Sequence, residues 1–274
     1  MSLQGIPKIL YKYRSFQEDV KENMRYQRKA LVEGELYFAS HKLLNDPFDL
    51  RIRKRYELMP EKDIILHGTY YLAQNNREAS FSSLWNVSEQ KYNENIDNNP
   101  EYLRDMSISE IEEMNNSIDR GIACFSERND DILMWAHYGN SNQGFCIGYN
   151  SDKLNSIIED KFISGIFQVH YFEEFPEIKP FIGHNSDFIL KRFASKSNKW
   201  SYEKEWRIII HDFSSYVLKI PNDVVEEIVL GSNVLPETEK EILAIQKQKY
   251  PNAKVFKIEP DDSEFKLNIL PYNP

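Results

Sequence analysis

The 274-residue sequence predicts an α+β fold: a mixed or split β-sheet core with flanking helices and a mainly helical insertion. Three observations predict it. Short apolar and aromatic runs of strand character recur along the chain. Helix-forming stretches lie between them without the strict strand–helix alternation of a doubly wound sheet. The segment 60–120 departs in composition: from Asn86 to Arg120 there are seven Asn and nine acidic residues, which suits an insertion or cap better than a core. The chain therefore reads as a single domain over 1–274, with the insertion at 60–120 and a strand–helix–strand unit in 221–274.

Ile9 to Tyr13 reads as a strand, and Ser15 can cap a helix from Phe16 to Val32 that Glu33-Gly34 ends. Leu36-Tyr-Phe-Ala is a second strand, and Leu43 to Asp49 is a turn because Asn, Asp and Pro each favour one. Pro60-Glu61 opens a helix around Ile64 to Leu72, and Ser107 with Glu110 three residues on fits another helix start. Gly121 to Ser126 is a strand. Asp130 or Asp131 caps the short helix Ile132 to Tyr138, and a flexible loop leads to the strand Phe145 to Tyr149. Asp152 to Ile158 is helical, Ile166 to Tyr171 is a strand, and Asn185 to Ser195 is a helix with Phe188, Ile189, Arg192 and Phe193 on one face. Glu203 to His211 gives the strongest strand signal, with Tyr216 to Ile220 as its hairpin partner. Glu227 to Gly231, Pro236 to Lys249 and Lys254 to Ile258 form the last unit.

With 41% hydrophobic and 28% charged residues, collagen-like, low-complexity and wholly disordered readings are excluded. The net charge of −9 does not attract nucleic acid or anionic membranes to the molecule as a whole. Yet residues 1–55 hold 12 Lys or Arg against 7 Asp or Glu, a local excess of 12 − 7 = +5 that suits a phosphate or nucleotide site. Cys124 and Cys146 lack zinc spacing, and the six His are scattered, so no structural metal is expected. Two thiols, no basic-then-apolar leader and no apolar run of membrane-span length lead us to expect a cytoplasmic protein without a membrane partner. No dinucleotide fingerprint, Walker loop, His-Glu-x-x-His or nucleophile elbow is present.

Four segments carry candidate chemistry. In Trp200 to Ile210, strand alternation puts Glu203, Glu205 and Arg207 on one face, opposite Trp206, Ile208 and Ile210. Two carboxylates and a guanidinium on one face either pair with each other or face a substrate cation or sugar hydroxyl. In Leu10-Tyr-Lys-Tyr-Arg-Ser, Lys12 and Arg14 share a face, which suits a phosphate, with Tyr11 and Tyr13 opposite. In Cys124 to Gly139, Ser126 and Glu127 leave a strand, and a helix follows bearing Trp135 and His137. Phe38 to Asp49 brings Ser40 to a strand end.

Together these segments resemble an uncharacterised bacterial family, catalogued as domain of unknown function 2971. The resemblance rests on Leu10-Tyr-Lys-Tyr-Arg-Ser, Leu36-Tyr-Phe-Ala-Ser with Leu44-Asn-Asp-Pro-Phe-Asp, Cys124-Phe-Ser-Glu with Met134-Trp-Ala-His-Tyr-Gly and Gly144-Phe-Cys-Ile, and Tyr202-Glu-Lys-Glu-Trp-Arg. A weaker resemblance is to ADP-ribosyltransferases, which bring a His or Arg on a first strand, a Ser or Tyr on a second, and a late Glu, often in Glu-x-Glu. Arg14 or Lys12, Ser40 or Ser126, and Glu203-Lys-Glu205 fall in that order. The resemblance implies NAD as substrate and a protein or nucleic acid as acceptor. Glu205 would be the catalytic carboxylate and Glu203 its partner. Lys12 and Arg14 would meet phosphate, Tyr13 or Trp135 would stack on nicotinamide, and Ser40, Ser126, Glu127, His137 and Arg207 would line the site. Arg14 and Glu205 can serve one cleft only if they lie on the same side of the sheet. Two other classes compete. A metal-dependent nuclease would use Asp46, Asp131 or Glu127 with Glu205, although Arg207 stands where a proton-accepting Lys is wanted. A non-catalytic sensor or interaction module would bind a nucleotide or small molecule in the same cleft.

Overall fold

The structure, a computed structural model, describes residues 5–16, 25–117, 120–159, 163–178, 180, 191–210 and 216–272. In chain order the described elements begin with β1 (Ile9–Arg14), α1 (Arg25–Val32), β2 (Glu35–Ser40), α2 (Glu61–Asn75), α3 (Phe81–Asn98) and α4 (Tyr102–Ser117). Then come β3 (Gly121–Ser126), α5 (Ile132–His137), β4 (Phe145–Asn150), α6 (Ser151–Glu159), β5 (Ile163–Gln168), β6 (His170–Phe172), β7 (Ser195–Ser197) and β8 (Glu205–Ile210). The last are β9 (Tyr216–Lys219), β10 (Val225–Leu230), α7 (Pro236–Lys249), β11 (Lys254–Pro260) and β12 (Leu267–Pro271). The fold is α+β, as the sequence predicts. Residues 17–24 of the first expected helix, 185–190 of the helix carrying Phe188 and Ile189, and His211 lie outside the described residues. No described helix is long and apolar enough to cross a membrane.

The chain divides into two compact units, 1–47 with 119–173 and 196–274, and 48–118 with 174–195. The first holds a ten-stranded sheet in the order β12-β11-β10-β4-β1-β3-β2-β9, with β8 on β3 and β5 on β8. Among the described strands of this sheet only β10 and β11 pair in parallel, and α7 makes the crossover between them. The β12 strand beyond them was not foreseen.

The sheet is split at β3. β8 pairs along the whole of β3, from Gly121↔Ile210 to Ser126↔Glu205, and so occupies one edge. The other edge is shared: β2 meets its start at Ser40↔Gly121 and Ala39↔Ile122, and β1 meets its end at Tyr11↔Ser126. Residues directly across an antiparallel ladder share a face. One face carries Leu10, Phe125, Ile147, Trp206, Ile208 and Ile228 into the main core, where Leu31 and Ile242 close over them. The opposite face carries Tyr13, Cys146 and Val229 against Met134 and Trp135 of α5. Fully burying each such aliphatic or aromatic side chain stabilises by about 1.5–3 kcal/mol. Asp131 caps α5 by accepting from the Leu133 and Met134 N–H groups.

Gly144 opens β4 where backbone strands crowd. A Cβ there would stand 2.2 Å from the Arg14 carbonyl oxygen and 2.9 Å from that of Gly139. Gly144→Ala is expected to lower stability by about 1–3 kcal/mol through overpacking, read from the denaturant midpoint.

The described part of the second unit contains the helices α2, α3 and α4, and the last two take up most of the Asn86 to Arg120 stretch. Ser107 does not start a helix. It is buried within α4, donates to the Arg104 carbonyl and accepts from Arg53 Nη1 at 2.6 Å. The helix begins earlier, after Asn99, whose side chain accepts from the Glu101 N–H.

Candidate functional site

Both faces of β8 are buried, so the acidic face expected to border solvent or a pocket is closed over in this state. The strand also starts later than its alternation suggests. Asn198–Glu203 form a 3-10 turn capped by Ser197, and Lys204 takes a left-handed conformation with φ 44° before β8 begins at Glu205. That reversal, rather than strand alternation, brings Glu203 beside Glu205.

The two carboxylates share one ammonium. Lys196 on β7 donates to Glu203 Oε2 at 2.5 Å and to Glu205 Oε2 at 3.2 Å. Arg207 grips Glu205 with two prongs, Nε to Oε1 at 2.7 Å and Nη2 to Oε2 at 3.0 Å. Glu203 Oε1 accepts from the Tyr138 hydroxyl at 2.6 Å, and that hydroxyl accepts from Asn45 Nδ2 at 2.6 Å. The Glu205 N–H donates to the Tyr171 hydroxyl at 2.8 Å. Glu203, Glu205, Lys196 and Arg207 are 4%, 3%, 7% and 0% exposed, so two carboxylates and two cations face one another away from water.

Their environments push the two carboxylates apart. Burial raises the affinity of both for a proton. At Glu205 the charges of Arg207 and Lys196 overcome it, and its pKa falls well below the usual carboxylate range. At Glu203 burial and the neighbouring Glu205 charge outweigh Lys196, and its pKa is raised. One carboxylate held as an anion beside one that takes a proton readily is the pairing that acid–base and oxocarbenium chemistry uses. Burial also raises the Cys124 thiol, which lies opposite Arg207, and so disfavours a thiolate.

An aromatic rim borders the cluster. His137, exposed at the end of α5, lies 6.3 Å from the Tyr202 ring, and Tyr202 lies 6.1 Å from Trp200 at an interplanar angle of 40°. The Lys196 ammonium sits 4.8 Å from the Trp200 ring centroid.

The register decides which predicted residues meet. Tyr11, Ser126 and Glu205 stand directly across from one another on three adjacent strands, on one face, with Arg207 and Cys124 next along it. Lys12 and Arg14 are not there. They alternate with Tyr11 and Tyr13, pair with Ile147 and Phe145 of the main core, and so point to the opposite side of the sheet. One cleft shared by Arg14 and Glu205 is therefore corrected. The first-strand residue in line with Ser126 and Glu205 is Tyr11, whose hydroxyl donates to Glu227.

Trp135 and Tyr13 do not form an open stacking surface. Trp135 is 0% exposed, donates from Nε1 to the Asn129 carbonyl, and meets Tyr13 edge-on at 5.1 Å. The Tyr13 hydroxyl donates to the Arg128 carbonyl. Ser126 is buried and accepts from the Arg128 N–H, Glu127 accepts from Trp206 Nε1 at 3.3 Å, and buried Ser40 accepts from the Lys42 N–H at the other end of β3 from Ser126. Sequence reasoning missed Lys196 and Tyr171, which no spacing links to the Glu-Lys-Glu segment. It also passed over Tyr138, although that residue lies within the quoted Met134 to Gly139 segment. Among the described residues no three His, Cys, Asp or Glu side chains gather as a metal site would require.

The model of the family described as "Protein of unknown function (DUF2971)" matches residues 134–208. This supports the resemblance to that family, and the matched stretch runs from α5 to β8, spanning His137, Tyr138, Lys196, Glu203, Glu205 and Arg207. No curated protein and no solved structure matches the chain.

Proposed function

We propose that the Tyr11–Ser126–Glu205 face is the site of an ADP-ribosyltransferase-like enzyme that cleaves NAD. The observation that carries this reading is the row itself. Tyr11, on the first strand where the resemblance implies a His or Arg, falls in direct register with a serine and a late glutamate on three neighbouring strands, in that chain order. Glu205, held as an anion, stabilises the positive charge that develops on the ribose as the bond from its anomeric carbon to nicotinamide breaks and the electron pair leaves with nicotinamide. Glu203, with its raised proton affinity, orients the acceptor and receives the proton that the acceptor loses as its nucleophilic atom bonds the anomeric carbon that nicotinamide has left. The aromatic rim of His137, Tyr202 and Trp200 supplies faces for the planar rings of the dinucleotide. Access to Glu205 requires Lys196 to release its 3.2 Å contact, the longest of the three that Glu205 accepts from side-chain nitrogens.

The test is NAD consumption by the purified chain in the presence of a chelator. Turnover is expected without added metal, with Glu205→Gln at least about 100-fold slower, the typical consequence of removing one transition-state partner. Unchanged turnover in that variant, with the melting temperature retained, would contradict the assignment. A second reading is favoured by the ion pairs that occupy Glu205: a non-catalytic module that binds the nucleotide. It predicts an NAD-dependent rise in melting temperature with no nicotinamide released.

A further inference from the structure

The opposite face of the sheet holds a charge problem of its own. Lys12 is 7% exposed. Its ammonium donates to the Cys124 carbonyl at 2.5 Å and lies 4.8 Å from the Phe125 ring centroid. Arg14, the next residue but one on the same face, donates from Nη1 only to the carbonyl of its own neighbour Tyr13, at 3.2 Å, and its Nε is buried without a partner. Neither cation meets a carboxylate among the described residues. Like charges two residues apart on one strand face repel, and a buried charge without a counter-ion costs several kcal/mol.

The backbone shows why the pair stands there. β1 and β2 both run antiparallel to β3 along its one shared edge, yet β1 pairs only at Ser126 and β2 only at Gly121 and Ile122. Between them no described strand pairs with β3 at Ala123 to Phe125 on this edge, and the Lys12 ammonium donates to the Cys124 carbonyl. Lys12 and Arg14 thus line the wedge where the two strands part.

We infer that this wedge is an oxyanion site, which takes a phosphate dianion, free or as a phosphate monoester, between Lys12 and Arg14. A dianion balances both cations, where a carboxylate would balance one. The planar Arg14 fork suits two oxygens of a tetrahedral phosphate, and Lys12 supplies a point charge behind it. The site lies on the face turned away from Glu205 and does not depend on the NAD reading.

The test is thermal melting of the full chain at neutral pH in titrations of inorganic phosphate and of AMP, against sodium chloride at matched ionic strength. A saturable rise of about 5 °C or more is expected at phosphate concentrations far above the dissociation constant. AMP acting at lower concentration than phosphate identifies a nucleotide monoester as the source, and the reverse order identifies free phosphate. Arg14→Met and Lys12→Met are expected to abolish the shift. Without ligand, Lys12→Met is expected to melt at or above the wild-type temperature, because it removes a buried charge that meets no carboxylate among the described residues, and Arg14→Met, at a half-buried position, is expected to stay folded. Arg14→Lys, which keeps the charge and loses the fork, is expected to weaken the response at least several-fold. The inference is overturned if neither anion shifts melting beyond the chloride control, or if the variants respond as the wild type does.

Discussion

Lys196→Met is expected to destabilise the chain by about 3–5 kcal/mol, the range found when one partner is removed from a buried ionic cluster. Lys196 is the only described cation that touches both Glu203 and Glu205. Without it, Glu205 keeps Arg207, but Glu203 is left with the Tyr138 hydroxyl alone among its described donors, buried and facing a second negative charge. The loss is expected to shrink as pH falls, because protonated Glu203 no longer repels Glu205. Glu203→Gln in the Lys196→Met background removes the orphaned charge and is expected to recover about half of the loss. Denaturant unfolding of the four proteins in this cycle measures the coupling. A Lys196→Met loss below about 1 kcal/mol, or two losses that simply add, contradicts a shared ammonium.

The second large effect is a pH dependence set by Lys12. Burial, reinforced by the charge of Arg14, lowers its pKa from 10.5 to about 7, against weaker opposing pulls from Cys124 and Glu205. The unfolded chain keeps that proton up to about pH 10.4. Between the two values the unfolded state binds more protons than the folded state, so stability rises with pH, by at most about 1.4 kcal/mol per unit. Below pH 7 both states carry the proton, and this group gives no slope. From pH 7 to 9 the wild type is therefore expected to gain up to about 2–3 kcal/mol that Lys12→Met lacks. Parallel stability–pH curves for the two proteins rule out a Lys12 that loses its proton on folding.

The strands were legible because strand signals are local, but their pairing was not: Tyr216 to Lys219, expected as the hairpin partner of β8, pairs with β2 instead. Gly121 to Ser126 and Phe145 to Tyr149 are short apolar runs, and Asp131 stands where a cap is needed before Ile132, so β3, β4 and α5 follow from neighbours alone. The Lys12/Arg14 alternation was legible for the same reason. Which side of the sheet that pair shares with Glu205 was not, because it depends on the register Tyr11↔Ser126↔Glu205 among strands about 80 to 115 residues apart in sequence. Alternation also misplaced Glu203. It assumes extended backbone through Lys204, and Lys204 has φ 44°. Lys196 could not be paired with the two carboxylates from spacing, since β7 and the 3-10 turn bring it there through tertiary packing.

The most direct test of the account is the titration of the Glu203 and Glu205 side-chain carboxyl carbons by NMR in uniformly labelled protein, each assigned by its Gln variant. The account predicts that Glu205 remains ionised to the lowest pH at which the chain stays folded, while Glu203 takes its proton above the range of an ordinary glutamate. Two carboxyl groups titrating together near pH 4.3, as solvated glutamates do, would contradict it.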